Sequence, residues 1–312
     1  MIQSEILQPA VSIALCTYNG EHYLVEQLES ILNQDYKNIS EIICVDDGSK
    51  DGTWEILKEY ASKYPVFKIT QNNSNLGFIK NYEKAVKLAN SPFIAISDQD
   101  DIWFLDKVSK LVIGIGNSLM VYSDNEYIDE NGHELGMRFS DRRNLVVSSS
   151  CLNFALFNAI SGHTILFRKE LLTFALPFPD EIPYDWWLAF CASQHSAIQV
   201  VCEPLVSYRQ HLSNAVGGYG VKKDNKKEGD KFFILSQACV RIRCFSQTIA
   251  SHLTLEKQVL KLLALSYRDR SFKMRIKRIL LFWNNRDNLL LFKKRSKPLK
   301  MIYCLKAFWK YD

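Results

Sequence analysis

The eight cysteines, at 16, 44, 151, 191, 202, 239, 244 and 304, form no CxxC pair. Zinc ribbons and dithiol redox sites are built on such pairs, so both readings are excluded. Cys16 and Cys44 sit inside apolar runs, where a thiol packs as a small hydrophobe, and buried free thiols are expected. No window reaches ~18 uninterrupted apolar residues, so no conventional transmembrane helix is expected. Met1 to Ala10 has neither a basic start nor a clean apolar core with a cleavage site, so no secretory signal is expected. GxGxxG does not follow the first apolar run, and GxxxxGK[ST] occurs nowhere. A dinucleotide-binding Rossmann site and a P-loop are thereby excluded. Internal repeats and low-complexity tracts are also lacking.

What is present is a 312-residue chain with 47 % hydrophobic and 23 % charged residues. Such a composition supports a large core without disulfides. The formal net charge of +5 is mild but unevenly placed. From Arg268 to Asp312 there are 14 Lys and Arg against 3 Asp and Glu, whereas the preceding chain is slightly acidic. That asymmetry points to an anionic surface, either membrane or nucleic acid.

Apolar runs at Val11–Cys16, Glu41–Val45, Phe67–Thr70 and Phe93–Ser97 alternate with helical spacing at Glu21–Asn33, Thr53–Tyr60 and Asn75 to about Asn90. This alternation predicts a doubly wound α/β sheet. Ligands bind outside the carboxyl ends of such strands, so the turns Thr17–Glu21, Asp46–Ser49 and Asp98–Asp101 should face one crevice. Further strands are expected at Leu119–Ser123, Asn158–Phe167 and Ile198–Tyr208. A hairpin is expected around Asn131-Gly132, and a helix from about Asp185 to Gln194. Lys222–Asp230 reads as a charged loop or linker, and the chain beyond it reads as helical.

The sharpest feature is Asp98-Gln99-Asp100-Asp101. On extended backbone Asp98 and Asp100 point to one side. Carboxylates this close repel unless a cation relieves them, and Mg²⁺ or Mn²⁺ favours such oxygen ligands. Alternatively, the acids cap a helix N-terminus. Asp46-Asp47-Gly48-Ser49 is either a plain strand-to-helix turn or a carboxylate pair for a nucleoside.

The segments SIALCTYNGEHYLVEQLESILNQDY, IICVDDGSKDGT, NSNLGFIKNYEKA and FIAISDQDDIW, in this order, resemble the family 2 glycosyltransferases of GT-A fold. DQDDIW with the later block SGHTILF…LPFP…YDWWLAF…YRQH is similar to their bacterial rhamnosyltransferase-like branch. The resemblance covers about residues 10–216. It implies a DxD motif in Asp98-Gln99-Asp100, with Asp98 at the donor ribose and Asp100 holding the metal. It also implies a base-cradling loop at Thr17, Tyr18 and Asn19, a nucleoside contact from Asp46 or Asp47, and a donor-side element at Asn75 and Gly77. Asp185 matches the general base; the acid that usually precedes it is here Tyr184. His211 matches a position that in some members contacts metal or phosphate. Asp185 beside Trp186 and Trp187 should be partly desolvated, which raises the basicity of its carboxylate; alternatively it caps the following helix. Trp103, Trp186 and Trp187 are candidates for a sugar-stacking wall or for the core. His163 is a phosphate or acceptor contact or a core histidine, and Arg209 a diphosphate contact or a structural ion pair.

In the basic tail, Phe272, Ile276, Ile279, Leu280 and Trp283 follow helix spacing among Arg275, Lys277 and Arg278. Lys and Arg beside Trp and Phe predict an interfacial helix on anionic lipid; packing on the catalytic body is the alternative. No nucleic-acid module accompanies the charge. The expected organisation is a GT-A catalytic domain over 1–221, with a nucleotide-sugar half at about 10–110 and an acceptor half at 111–221. A linker at 222–230 and a helical basic extension at 231–312 follow. The expected activity is inverting, metal-dependent transfer of one sugar to a lipid-linked saccharide at the cytoplasmic face of a bacterial inner membrane. The implied donor is dTDP-rhamnose or a UDP-hexose, and the implied pathway O-antigen or capsule assembly. QxxRW and spanning helices, marks of processive synthases, are missing. A non-catalytic saccharide-binding subunit is the alternative. A nucleotidyltransferase would need a basic Gly-rich loop that CTYNGEHY does not provide.

Overall fold

In a computed structural model, residues 8–211, 228–269 and 271–306 are described, without the side chains of 228–236. The amino-terminal part alternates β1 (Val11–Thr17), α1 (Glu21–Leu32), β2 (Ile39–Asp46), α2 (Thr53–Lys63), β3 (Phe67–Gln71), α3 (Phe78–Leu88) and β4 (Phe93–Ser97). Then come β5 (Ile102–Trp103), α4 (Lys107–Gly114), β6 (Met120–Ile128), β7 (Glu134–Arg138), β8 (Ile165–Arg168), α5 (Leu172–Ala175), α6 (Tyr184–Ala192) and β9 (Ile198–Arg209). The carboxyl-terminal helices are α7 (Glu228–Thr248), α8 (Thr254–Arg268), α9 (Phe272–Asn284), α10 (Arg286–Leu289) and α11 (Lys297–Lys306).

The strands form one mixed sheet in the order β3-β2-β1-β4-β8-β6-β9-β5, with β7 pairing β6. β1 runs parallel to β2 and β4, and β2 parallel to β3. β8 lies between β4 and β6 and is antiparallel to both. Both faces are buried. Ile13, Leu15, Ile42 and Cys44 pack under α1, α2 and α4, while Ala14, Cys16, Ile43 and Val45 pack under α3 and α6. Period-2 alternation explains how apolar runs without a polar face serve both layers.

The carboxyl-terminal helices share the second of these cores. Ile242, Phe245, Leu260, Phe282, Leu290 and Phe292 are fully or nearly fully buried in it, and Phe245 stacks on Phe190 of α6 at 3.8 Å. No helix among the described residues is long and apolar enough to cross a membrane.

Several boundaries differ from expectation for local reasons. α3 starts at Phe78 rather than Asn75, because the Asp47 carboxylate accepts from the backbone N–H groups of Leu76 and Gly77. Gly77 then sits at φ +83°, a conformation that favours glycine. The strand expected over Asn158–Phe167 is confined to Ile165–Arg168, since the Asn158 amide closes a loop on both backbone groups of Ile160. The linker expected at 222–230 lies largely outside the described residues, and Glu228 already begins α7. Among the cysteines, Cys202 is exposed and Cys239 and Cys244 half-buried; the other five are buried, and no disulfide is formed among the described residues.

Candidate active site

The turns after β1, β2 and β4 converge because the sheet is parallel there and each strand ends on the same edge. Gln99 ties two of them together: the Tyr18 N–H donates to its Oε1 at 2.8 Å, and its Nε2 donates to the Tyr18 carbonyl at 3.1 Å. Gly20 makes room for this clasp, since a Cβ there would lie 2.2 Å from Gln99 Oε1. Asn19, at φ +49°, donates its N–H to Ser49 and accepts from the Lys50 N–H, binding the first turn to the second.

A cavity of about 880 Å³ opens at this edge. Thr17, Tyr18, Asp47, Asn75, Gly77, Asp98, Asp100 and Asp185 all line it. Asn19 and Asp46 are not on its surface. Asp46 is fully buried and accepts from Thr17 Oγ1, from the Ser49 N–H and hydroxyl and from Gln71 Nε2, so it holds the loop rather than facing a ligand. Asp47 likewise spends both oxygens on Leu76, Gly77 and Asn72. His211 lies just behind the surface, its Nε2 2.9 Å from Asp100 Oδ2.

Below Asp98 lies a buried charge cluster. Nδ1 of His163 is 3.3 Å from Asp98 Oδ2 and 3.5 Å from Asp101 Oδ2. Burial by itself would depress the imidazole's affinity for a proton, but Asp101 and Asp98 outweigh it and raise the His163 pKa. Burial pushes Asp101 up to about 7, aided by repulsion from Asp100 and Asp98. Burial also opposes ionisation of Asp98, but His163 and Tyr82 prevail and hold its pKa below the usual carboxylate value. Lys107, buried beneath, donates to the His163 carbonyl at 2.6 Å and lies 3.3 Å from the centre of the Trp103 ring.

These donors fit a divalent cation. Ligand atoms of Asp98, Asp101 and His163 lie within 4.8 Å of one another, and Asp101 Oδ2 has no hydrogen-bond partner. Asp100 of the same turn, with His211 just after β9, adds a second oxygen–nitrogen pair. Carboxylate and imidazole ligands suit Mg²⁺, Mn²⁺ and similar ions.

Asp185 is the second residue of α6, behind Pro183 at the cap position, so it does not cap that helix. Its Oδ1 accepts from the Trp186 N–H at 2.6 Å and its Oδ2 from Asn158 Nδ2 at 3.3 Å. Burial lifts its pKa to about 7; the Trp186 N–H pulls it down, and the Asp98 charge adds to the rise. Of the three tryptophans only Trp186 lines the cavity, while Trp103 and Trp187 are buried. Arg209 is 1 % exposed, pairs with Glu26, and bonds the carbonyls of Asp100 and Glu130, so it braces the acidic turn.

Several cavity residues carry no recognisable signal in the sequence. The Tyr82 hydroxyl, on what reads as an apolar helix stripe, contacts the Asp98 carboxylate and the Ser97 carbonyl. The Tyr184 ring packs against Tyr82 in a tilted arrangement, with ring centres 4.1 Å apart. Asn158, Arg142, Arg143 and Gln210 line the cavity from loops far away in sequence.

A mixed sheet of this order, with an acidic cavity at the edge of its parallel half, defines a GT-A transferase fold. Residues 1–349 of S. aureus TarS in complex with UDP-GlcNAc share it, at TM-score 0.58 and 20 % identity over 90 % of this chain and 89 % of that one. GalNAc-T7 with UDP, GalNAc and Mn²⁺ shares it at TM-score 0.55 and 14 % identity, over 67 % of this chain and 45 % of that one. The glycosyl transferase family 2 model matches residues 12–171, and the chain belongs to that family. It is therefore a glycosyltransferase. The dTDP-rhamnosyl transferase RfbG of Shigella flexneri is 32 % identical over 221 residues, covering 65 % of this chain and 73 % of that protein.

Proposed function

We propose that the enzyme transfers one sugar, with inversion, from a nucleoside-diphosphate donor to a hydroxyl of a lipid-linked saccharide. The carrying observation is a carboxylate of raised pKa, Asp185, that lines the same cavity as Asp98 and Asp100 of the acidic turn. Asp185 accepts the acceptor hydroxyl proton as that oxygen bonds to the anomeric carbon. The bond from that carbon to the diphosphate breaks on the opposite side, through an oxocarbenium-like state. Asp98 and Asp100, with His211 or His163, would hold Mg²⁺ or Mn²⁺. A bound ion of this kind would neutralise charge on the leaving diphosphate. Tyr18, Asn75 and Gly77 shape the nucleoside end of the cavity, and Asp47 fixes that shape.

The similarity to RfbG favours dTDP-rhamnose as donor, with a UDP-hexose as the alternative. The setting we assign is O-antigen or capsule assembly at the cytoplasmic face of a bacterial inner membrane. The membrane contact would come from α9, where Phe272, Ile276 and Leu280 are exposed on one stripe beside exposed Lys273 and Lys277. Burying such a stripe in lipid, with its cations at anionic headgroups, gives reversible binding. A panel of sugar nucleotides with synthetic polyprenyl-linked acceptors, read by mass spectrometry, tests the reading. One hexose or deoxyhexose added per acceptor is expected; turnover of no donor would refute it.

A further inference from the structure

The cavity is lined by several carboxylates but by only two Lys or Arg side chains among the described residues, Arg142 and Arg143. They follow β7 on the far side of β8 from the nucleotide turns, so they face the acidic turn from the acceptor half. Neither is buried. The backbone that carries them is fixed at both ends. The Ser140 N–H donates to Asp124 Oδ1 at 3.1 Å, and Asp141 accepts from the Arg138 N–H at 2.8 Å. The Asn144 N–H donates to the Phe292 carbonyl at 3.2 Å, and its side chain donates to the carbonyls of Leu291 and Lys293. Arg143 itself forms an antiparallel bridge with Lys293.

This anchoring brings the run Lys293-Lys294-Arg295 beside the arginines. Lys294 Nζ donates to the Ser140 carbonyl at 2.9 Å, and Lys293 Nζ lies 4.0 Å from the Phe157 ring centre. Arginine forks pair bidentately with phosphate oxygens, and a pre-anchored backbone lowers the entropy lost on binding.

We infer that Arg142 and Arg143 form an anion subsite on the acceptor side of the cavity, taking a phosphate or diphosphate group carried by the acceptor. The inference rests on the nucleotide-sugar reading above and adds what the acceptor must carry. It also gives the carboxyl-terminal helices a second role, because their segment 291–295 holds the subsite in place.

The test is calorimetric titration of the full chain with its nucleotide site filled by UDP or dTDP and Mn²⁺. The probes are farnesyl diphosphate, inorganic pyrophosphate and farnesol. Farnesyl diphosphate and pyrophosphate should bind the wild type and farnesol should not. The Arg142→Gln/Arg143→Gln double variant should lose roughly tenfold or more in affinity for both anions. The corresponding Lys pair should recover part of it, and UDP affinity should change less than about twofold. Arg143→Gln alone serves if the double variant does not fold. Unchanged farnesyl diphosphate binding in the Gln variants would overturn the subsite. So would a selective loss of UDP affinity, which would assign the arginines to the donor. Failure of the wild type to bind any nucleoside diphosphate would instead overturn the nucleotide-sugar reading, while pyrophosphate alone would still report on the arginines.

Discussion

Asp185→Asn separates charge from shape at the centre of the proposed mechanism. The amide keeps the Oδ1 acceptor for the Trp186 N–H but cannot accept from Asn158 Nδ2, whose own amide is locked onto Ile160. One hydrogen bond, worth about 1 kcal/mol, is therefore lost. Against this, a folded-state pKa near 7 means that ionising Asp185 costs stability that the unfolded chain, with an ordinary carboxylate, does not lose. Allowing for solvent in the cavity, that cost is on the order of 2 kcal/mol at pH 8. The folded wild type holds more protons than the unfolded chain between pH 4 and 7, so its stability falls as pH rises through that window. The variant lacks this slope: it should melt slightly below the wild type at pH 4 and at or above it at pH 8. Activity should move the other way. General-base catalysis typically contributes 10²–10⁴-fold, so transfer and donor hydrolysis should fall by about that factor, with nucleotide affinity kept within a few-fold. Wild-type activity should show an acid limb with a midpoint near pH 7. Melting curves across pH, nucleotide titration and mass-spectrometric turnover read all of this. A variant within about threefold of wild-type turnover, or a stability difference flat from pH 4 to 8, would refute the assignment.

Asp100→Ala should lose about 100-fold or more in metal-dependent turnover while melting near the wild type, and full activity would remove Asp100 as a ligand. Asp47→Ala deletes acceptors for Leu76, Gly77 and Asn72; about 2 kcal/mol of stability and several-fold in donor affinity should go, as thermal melts and nucleotide titration would show. Gly162→Ala puts a Cβ 1.9 Å from the Tyr184 hydroxyl, so overpacking of about 1–3 kcal/mol should appear in the melt, with reduced transfer. Ile276→Glu with Leu280→Glu should leave the melt unchanged and cut binding to anionic vesicles about tenfold in a flotation assay; unchanged flotation would return α9 to a solvent-facing role.

Much of the first hundred residues is legible because the signals there are local. An apolar run followed by a polar turn encodes each of β1, β2 and β4, and the parallel sheet brings their turns to one edge. The acidic run after β4 announces itself in the same way. Side chains whose roles depend on distant partners are less legible, on either side of β4. Asn158 reads as part of a strand until its amide is seen closing on Ile160. Tyr82 reads as helix core until its hydroxyl is seen on Asp98. Asp46 and Asp47 look equivalent in sequence, yet one lies beneath its loop and the other on the cavity wall.

Order along the chain is enough to set the alternation of the first hundred residues, the positions of the acids, the family resemblance and the charge asymmetry of the tail. All of these are properties of neighbours in sequence. Folding settles which acids meet which partners. It sets His163 between Asp98 and Asp101, His211 against Asp100, and Asp185 in a half-buried wall that raises its pKa. It also packs the basic extension into the catalytic core and fastens its segment 291–295 beside Arg142 and Arg143. Burial and through-space charge fix those outcomes, and neither has a period or a spacing that a sequence could display.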